Sequence, residues 1–276
     1  MDKNMRKFSI KDSLFSHAYS SSGYNKPSYF EWDRNNQHGD VIFLTDSHVF
    51  EVDTIPSNIK KYAWLLESPS ITPNSYEFVY NNSKLFDKIF THSKKILDNT
   101  KNSYFSPTGG CFLKDDEIKY DYEKTKLISM MISKKRFTDG QNLRHQIANK
   151  YGKYIDLMGR MFDHRTFEKI DSCRDYAFSI VVENCKEDYY FTEKIIDCLL
   201  TGTVPIYWGC PSIDKFFDKK GMITFDSLEE LESIITDENY LISFYTNKSN
   251  HIINNFELAL NYKTSEDYIY VNYLNQ

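Results

Sequence analysis

Long apolar runs are missing from this 276-residue chain. No stretch approaches the roughly 18 apolar residues of a membrane-spanning helix, so no transmembrane segment is expected. The opening residues, MDKNMRKFSIKDSLF, lack the apolar core of a signal peptide. Cysteine is scarce and unpatterned: Cys111, Cys173, Cys185, Cys198 and Cys210 are odd in number and include no C-x-x-C pair. Neither a zinc ribbon nor a disulfide framework follows, and reduced thiols suit a cytoplasmic protein. With 10 Gly and 7 Pro the chain is neither collagen-like nor low in complexity. Positive charge is short as well. Its 34 Lys and Arg against 39 Asp and Glu leave a formal net charge of −5, and a nucleic-acid partner is not expected.

Aromatic residues are in excess: 21 Tyr, 20 Phe and 3 Trp, or 16% of the chain. The length is enough for about two domains with real cores. After a polar first forty residues come short apolar runs of strand length at 40–45 (DVIFLT), 62–66 (YAWLL), 88–91 (KIFT) and 103–106 (SYFS). Helix-like stretches at 75–86 and 93–99 lie between them. The charged run at 114–126, KDDEIKYDYEKTK, reads as a linker or exposed connection. Alternation then resumes, with strands expected at 127–132, 154–158, 176–182, 204–208 and 222–225. Helices are expected at 141–151, 192–200 and 227–236, and the tail from Asn239 looks helical. Near-continuous apolar strands alternating with helices predict parallel sheets covered on both faces. The expected division is an α/β domain over 1–120, a second over 121–250 and a helical tail over 251–276. Ligands of such sheets bind beyond the carboxyl ends of the strands.

The chemistry concentrates in residues 176–217. A buried strand ends at Val182, and Glu183, Asn184, Asp188, Tyr189 and Tyr190 follow. Thr192 can cap a helix whose apolar face is Ile195, Ile196, Leu199 and Leu200. Glu193 and Lys194 then fall in its first turn, where a lysine suits a phosphate and a carboxylate suits a ribose diol. The plainer alternative is a helix-dipole carboxylate beside a solvated lysine.

This segment, ENCKEDYYFTEKIIDCLLTGTVPIYWGCP, closely resembles the signature of the family 10 α-1,3-fucosyltransferases. That signature is an E-N dipeptide, a gap, Y-x-T-E-K, a helix and then V-P-I-Y-W-G. Cys185 stands where the family more often has Ser or Thr. Upstream, residues 127–151 look like the family's first donor-domain strand, loop and helix. By that resemblance Arg144 binds the donor diphosphate, with Arg136 as its rival. A guanidinium also suits bidentate phosphate binding on its own chemistry. In YAWLLESP, Glu67 follows a strand where the family places its presumed catalytic base, and a loop or capping glutamate is the competing reading. His92 and His48 also follow strands and compete as acid–base groups, each with a structural alternative. The Pro107-Thr108-Gly109-Gly110 turn suits a ligand's approach or a plain tight turn. Asp115-Asp116-Glu117 reads as a solvated charge run, and no metal motif emerges.

The resemblance implies a GT-B fold, two Rossmann-like α/β domains facing each other across a cleft. It also implies an inverting, metal-independent transfer of fucose from GDP-fucose to a hydroxyl of a glycan or glycolipid acceptor, with no cofactor. Glu67 would be catalytic. Arg144 and Lys194 would hold the diphosphate and Glu193 the ribose. Tyr190 and Asn184 would line the sugar or diphosphate pocket, and Glu183 would bind the substrate or orient these groups. Three alternatives stay open: another sugar nucleotide as donor, a non-catalytic nucleotide-sugar or glycan-binding module, and a scaffold on a transferase fold. Peripheral contact with a membrane surface is also open.

Overall fold

A computed structural model of the chain describes residues 5–23, 25–35, 39–159 and 168–275. It divides into two units. The first contains Met1–Phe112, Asp188–Tyr190 and Tyr262–Gln276, and the second Leu113–Glu187 and Phe191–Asn261. Each carries one parallel sheet. Among the described residues no helix is long and apolar enough to cross a membrane.

The first unit is built on strands β1 (Arg6–Lys11), β2 (Phe30–Asp33), β3 (Val41–Thr45), β4 (Lys60–Trp64), β5 (Lys88–Thr91) and β6 (Ser103–Phe105). They lie in the order β2-β1-β3-β4-β5-β6, with helices α1 (Pro73–Asn81) and α2 (Lys94–Asn99) in the connections. Successive strand side chains point to opposite faces, and here the two faces differ in chemistry. Ile42, Leu44, Ala63 and Ile89 join Val49, Val52 and Val79 in a largely aliphatic layer. Phe43, Tyr62, Trp64 and Phe90 join Phe8, Phe15 and Phe30 in an aromatic one. Phe43 stacks on Phe90 with centroids 5.7 Å apart and meets Trp32 edge-on at 5.0 Å. Edge-to-face and offset pairs of this kind add to the stabilisation from buried area.

Much of the aromatic excess therefore packs one sheet face. Trp64, at the end of β4, is fully buried in that layer and donates from Nε1 to Ser106 Oγ at 3.1 Å. The chain's end completes the layer. Tyr270 stacks on Tyr29 at 5.1 Å, and Tyr273 lies 5.0 Å from Tyr104. The short helix α8 (Ser265–Ile269), near the end of the chain, is pinned by the buried Glu266. Its carboxylate accepts bonds from the Ser21 N–H, the Ser21 hydroxyl and Trp32 Nε1. The stretch 251–276, expected as one tail, is thus divided. Its part up to Asn261 stays with the second unit, and Tyr262–Gln276 returns to the first.

The second unit contains β7 (Lys126–Met131), α3 (Asp139–Tyr151), β8 (Asp156–Met158), β9 (Tyr176–Val182), α4 (Glu193–Leu199), β10 (Val204–Trp208) and β11 (Ile223–Thr224), then α5 (Leu228–Ile235), α6 (Glu238–Asn247) and α7 (Ser249–Leu260). The sheet order is β11-β10-β9-β7-β8. Central β9 is buried at all seven positions, as a parallel strand covered on both faces requires. Tyr207 of β10 is also buried, and its hydroxyl accepts the Cys210 N–H at 3.0 Å.

The charged run 114–126 is no free linker. Lys119 N–H donates to the Leu200 carbonyl. Lys124 Nζ donates to the carbonyls of Cys173, Arg174 and Thr201 and to the Thr203 hydroxyl at 2.8–3.2 Å. Burial brings that ammonium down to about 8. Gly202, after α4, has φ +66°, and a Cβ there would sit 2.1 Å from the Tyr120 carbonyl oxygen. The left-handed backbone alone costs a non-glycine residue about 1–2 kcal/mol. Gly202→Ala is accordingly expected to lower the melting temperature by roughly 5 °C or more in a thermal scan, and an unchanged melting point would contradict this packing.

Candidate active site

Five of the seven residues singled out in the sequence meet at the carboxyl end of β9, within the second unit. Glu183 follows Val182, extends the pairing by donating its N–H to the Trp208 carbonyl at 2.9 Å, and is fully buried. Its two carboxylate oxygens accept the Thr192 N–H at 3.0 Å and the Thr192 hydroxyl at 2.7 Å. Thr192 in turn caps α4, accepting the Lys194 N–H. A buried carboxylate thereby joins the end of a strand to the start of the next helix, which suits the orienting role for Glu183.

Lys194 lies within a ring of oxygens. Its Nζ is 3.2 Å from Glu193 Oε1 and 3.4 Å from Glu183 Oε2, and it donates to Thr192 Oγ1 at 2.8 Å. Burial disfavours this charge, but the Glu193 and Glu183 carboxylates outweigh it and hold the ammonium above the ordinary lysine range. Burial likewise acts against the Glu193 carboxylate. The Lys194 and Lys169 ammonium groups overcome it and bring the carboxyl down to about 2. Glu193 is therefore an acceptor-only group at neutral pH.

Arg144 approaches from α3. Its side chain is buried, donating from Nε to the Val182 carbonyl and from Nη2 to Asn184 Oδ1, both at 2.9 Å. Arg136, the rival, lies exposed on the loop before α3. The helix can come this close because Gly140 has no side chain: a Cβ there would sit 1.7 Å from the Glu183 carbonyl oxygen. Arg144, Asn184, Glu193 and Lys194 thus form a mixed-charge cluster with two cations. Charge-assisted bonds from such cations are the strong way to hold phosphate oxygens.

The other two residues belong to the first unit. Glu67 lies just past β4, half-buried. Its backbone N–H donates to Asp46 Oδ1 at 3.1 Å, beside the Leu66 N–H at 3.0 Å, and its carbonyl accepts the Tyr76 hydroxyl. Asp46 directly follows β3, the strand paired with β4, and has φ +41°. It is buried, and its Oδ2 has no hydrogen-bond partner among the described residues. Burial raises its carboxyl to about 7 against the pull of the two amides, with the Glu67 charge adding to the rise.

Tyr190 is buried, with its ring 4.9 Å from the His92 imidazole. His48 forms a partly exposed pair with Glu51 at 2.7 Å and contacts Ser13, a surface arrangement. Asp115 and Asp116 are exposed in a short turn, and among the described residues no group of three or more His, Cys, Asp or Glu could hold a metal ion. Asp46, Tyr76 and Lys169 escaped the sequence reading. An acidic residue directly after the apolar run VIFLT is a signal that could have found Asp46.

Residues 122–269, just over half of the chain, match the model described as glycosyltransferase family 10 (fucosyltransferase) C-term. The chain is 33% identical over 97 residues to the alpha-(1,3)-fucosyltransferase FucT of Helicobacter pylori, covering 35% of this chain and 20% of that protein. The aligned part therefore spans about a fifth of this curated relative. Among solved structures, an alpha1,3-fucosyltransferase with GDP matches with TM-score 0.58 and 17% identity over 97% of this chain and 94% of its own. Anabaena Alr3699/HepE with UDP-glucose matches with TM-score 0.65 and 9% identity over 99% and 100%. At these identities the likeness is one of fold, the GT-B class expected from the sequence.

Asp46 yields a pH-dependent prediction. In the folded chain its carboxyl titrates at about 7, raised by burial from the ordinary 3.8. The stability it contributes is present in acid and is lost as pH rises through 7. Asp46→Asn, which does not titrate, should gain stability relative to the native chain between about pH 4 and 7, by up to ~4 kcal/mol, and then level off. Melting temperatures of both proteins across that range check this, and a pH-independent difference would refute it.

Proposed function

Because the chain belongs to glycosyltransferase family 10, the fucosyltransferase family, we propose that it moves fucose from GDP-fucose to a hydroxyl of a glycan or glycolipid acceptor. The observation that carries this reading is the cluster at the end of β9, which lies inside the matched region and combines two cations with an ionised carboxylate. Arg144 and Lys194 hold the diphosphate, and Glu193 accepts bonds from the ribose hydroxyls. Asn184 and Tyr190 each contact the sugar or diphosphate of the donor, while Glu183 positions Thr192 and Lys194.

The transfer is inverting. The acceptor oxygen bonds to the fucose anomeric carbon as the bond from that carbon to the phosphate oxygen breaks. The electron pair leaves on the diphosphate, where Arg144 and Lys194 meet the developing charge. Glu67 takes the acceptor proton as general base. The clamp on both sides of its peptide supports this role, since a base acts from a fixed distance. Two side-chain cations at the leaving group support a reaction without a metal ion.

Glu67→Gln is expected to lower turnover about 10²–10⁴-fold while leaving the Kd for GDP-fucose unchanged. Lys194→Met should do the opposite in part, weakening GDP-fucose binding by about 10–100-fold. Turnover by Glu67→Gln at the native rate would remove the base assignment, and absence of any GDP release by the native chain would remove the enzyme reading.

The donor and metal assignments have their own test. Calorimetric titration should find GDP-fucose binding at least about tenfold tighter than UDP-glucose, and transfer should persist in excess EDTA. Tight binding of a UDP-sugar alone would point to a different donor, and loss of transfer in EDTA would establish a metal requirement.

A further inference from the structure

Among the described residues, the first unit buries a histidine, His92, to which the proposed reaction gives no task. His92 follows β5 with no exposed surface, and burial brings its imidazole down to about 3, so the ring is neutral near pH 7. Its neighbours fix its tautomer. The Tyr76 hydroxyl donates its proton to the Glu67 carbonyl. At 3.3 Å from that hydroxyl, His92 Nε2 must then be the donor. Nδ1 is left as an acceptor, and the Thr108 hydroxyl donates to it at 2.8 Å. The result is a chain of bonds running one way, from Thr108 through His92 and Tyr76 to the peptide of Glu67.

The same imidazole lies 4.9 Å from the ring of Tyr190. The segment Asp188–Tyr190 belongs to the first unit, although the residues on either side belong to the second. Tyr189 in that segment has φ +64° and packs on Phe105 at 6.0 Å. A bulky residue holds such a backbone only where its surroundings enforce it. His92 therefore meets the peptide of the candidate base through hydrogen bonds and the donor-motif tyrosine through a tilted ring contact.

We propose that His92 is a positioning residue that sets the Glu67 peptide through Tyr76 and seats Tyr190 by ring contact. Histidine suits both tasks at once. Phenylalanine would keep the ring contact and lose the bonds, and asparagine or glutamine would keep a bond and lose the ring. The proposal rests on the roles given above to Glu67 and Tyr190. It also gives a use to the FTHS and PTGG segments, which supply His92 and Thr108.

The test measures GDP release from GDP-fucose, with water or a simple disaccharide as acceptor, beside the Kd for GDP-fucose. Tyr76→Phe, which removes one hydroxyl, should lower kcat by about tenfold or more with Kd changed less than about twofold. His92→Phe should show the same split, because the ring against Tyr190 remains. His92→Ala should lower kcat and also weaken GDP-fucose binding about fivefold or more. The Tyr76→Phe/His92→Phe double variant should be no slower than the slower single variant, since both break one chain.

Native turnover by Tyr76→Phe and His92→Phe would overturn the proposal, as would losses that multiply in the double variant. Glu67→Gln run in parallel separates the two readings. If it is inactive while Tyr76→Phe is native-like, only the positioning chain fails. If it turns over at the native rate, the base assignment fails whatever the histidine variants do. Should His92→Phe not fold by circular dichroism, Tyr76→Phe and Thr108→Val carry the same test.

Discussion

One buried carboxylate organises the second unit's site. Glu183 has no exposed surface, and it places both oxygens on Thr192, the cap of α4. A charge in such a place is stable only when it is paired and hydrogen-bonded. Here the partners are an amide, a hydroxyl and the Lys194 ammonium. The arrangement couples three things that sequence distance would leave independent: the end of β9, the start of α4 and the position of Lys194. Gly140 lets α3 touch the same turn, and Arg144 then reaches the Val182 carbonyl and the Asn184 side chain. Without the Glu183 contact the turn that joins β9 to α4 would be a loop of low local stability rather than a fixed edge.

The first unit solves a similar problem with neutral and acidic groups. Glu67 emerges from β4 with its N–H held by Asp46 and its carbonyl held by Tyr76. Asp46 bears the unfavourable terms: a left-handed backbone, an unpartnered oxygen and a carboxyl pushed to about 7. Such terms persist where the surrounding structure over-determines them, often at functional sites. The aromatic sheet face behind this edge, closed by Tyr270 and Tyr273, supplies the rigid background.

What could be read from the sequence was local. Central strands such as VIFLT and YAFSIVV are apolar at nearly every position, so parallel sheets followed directly. The Thr192 cap and the Glu193-Lys194 pair were visible as a strand–loop–helix pattern. The rest depended on contacts distant in sequence. Asp46 matters only because β3 lies beside β4, and strand order is not written in either strand. Lys124 looked solvated within KDDEIKYDYEKTK, yet four acceptors from residues 173–203 surround its ammonium. The place of Arg144 in the sequence favours it over Arg136, but its bonds to Val182 and Asn184 depend on contacts across about forty residues, and the division of the tail needed the buried Glu266. The four-residue β2, FEWD, carries too short an alternation to stand out in a polar segment.

Calorimetric titration of GDP into the native chain and into Glu183→Gln, under identical salt and pH, tests most directly whether this carboxylate organises the proposed donor site. Glutamine fills the same space but cannot accept at both ends, so Thr192 and Lys194 should shift and GDP should bind about tenfold more weakly. Equal affinity in a variant that folds normally would contradict the view that the Glu183 carboxylate holds the site together.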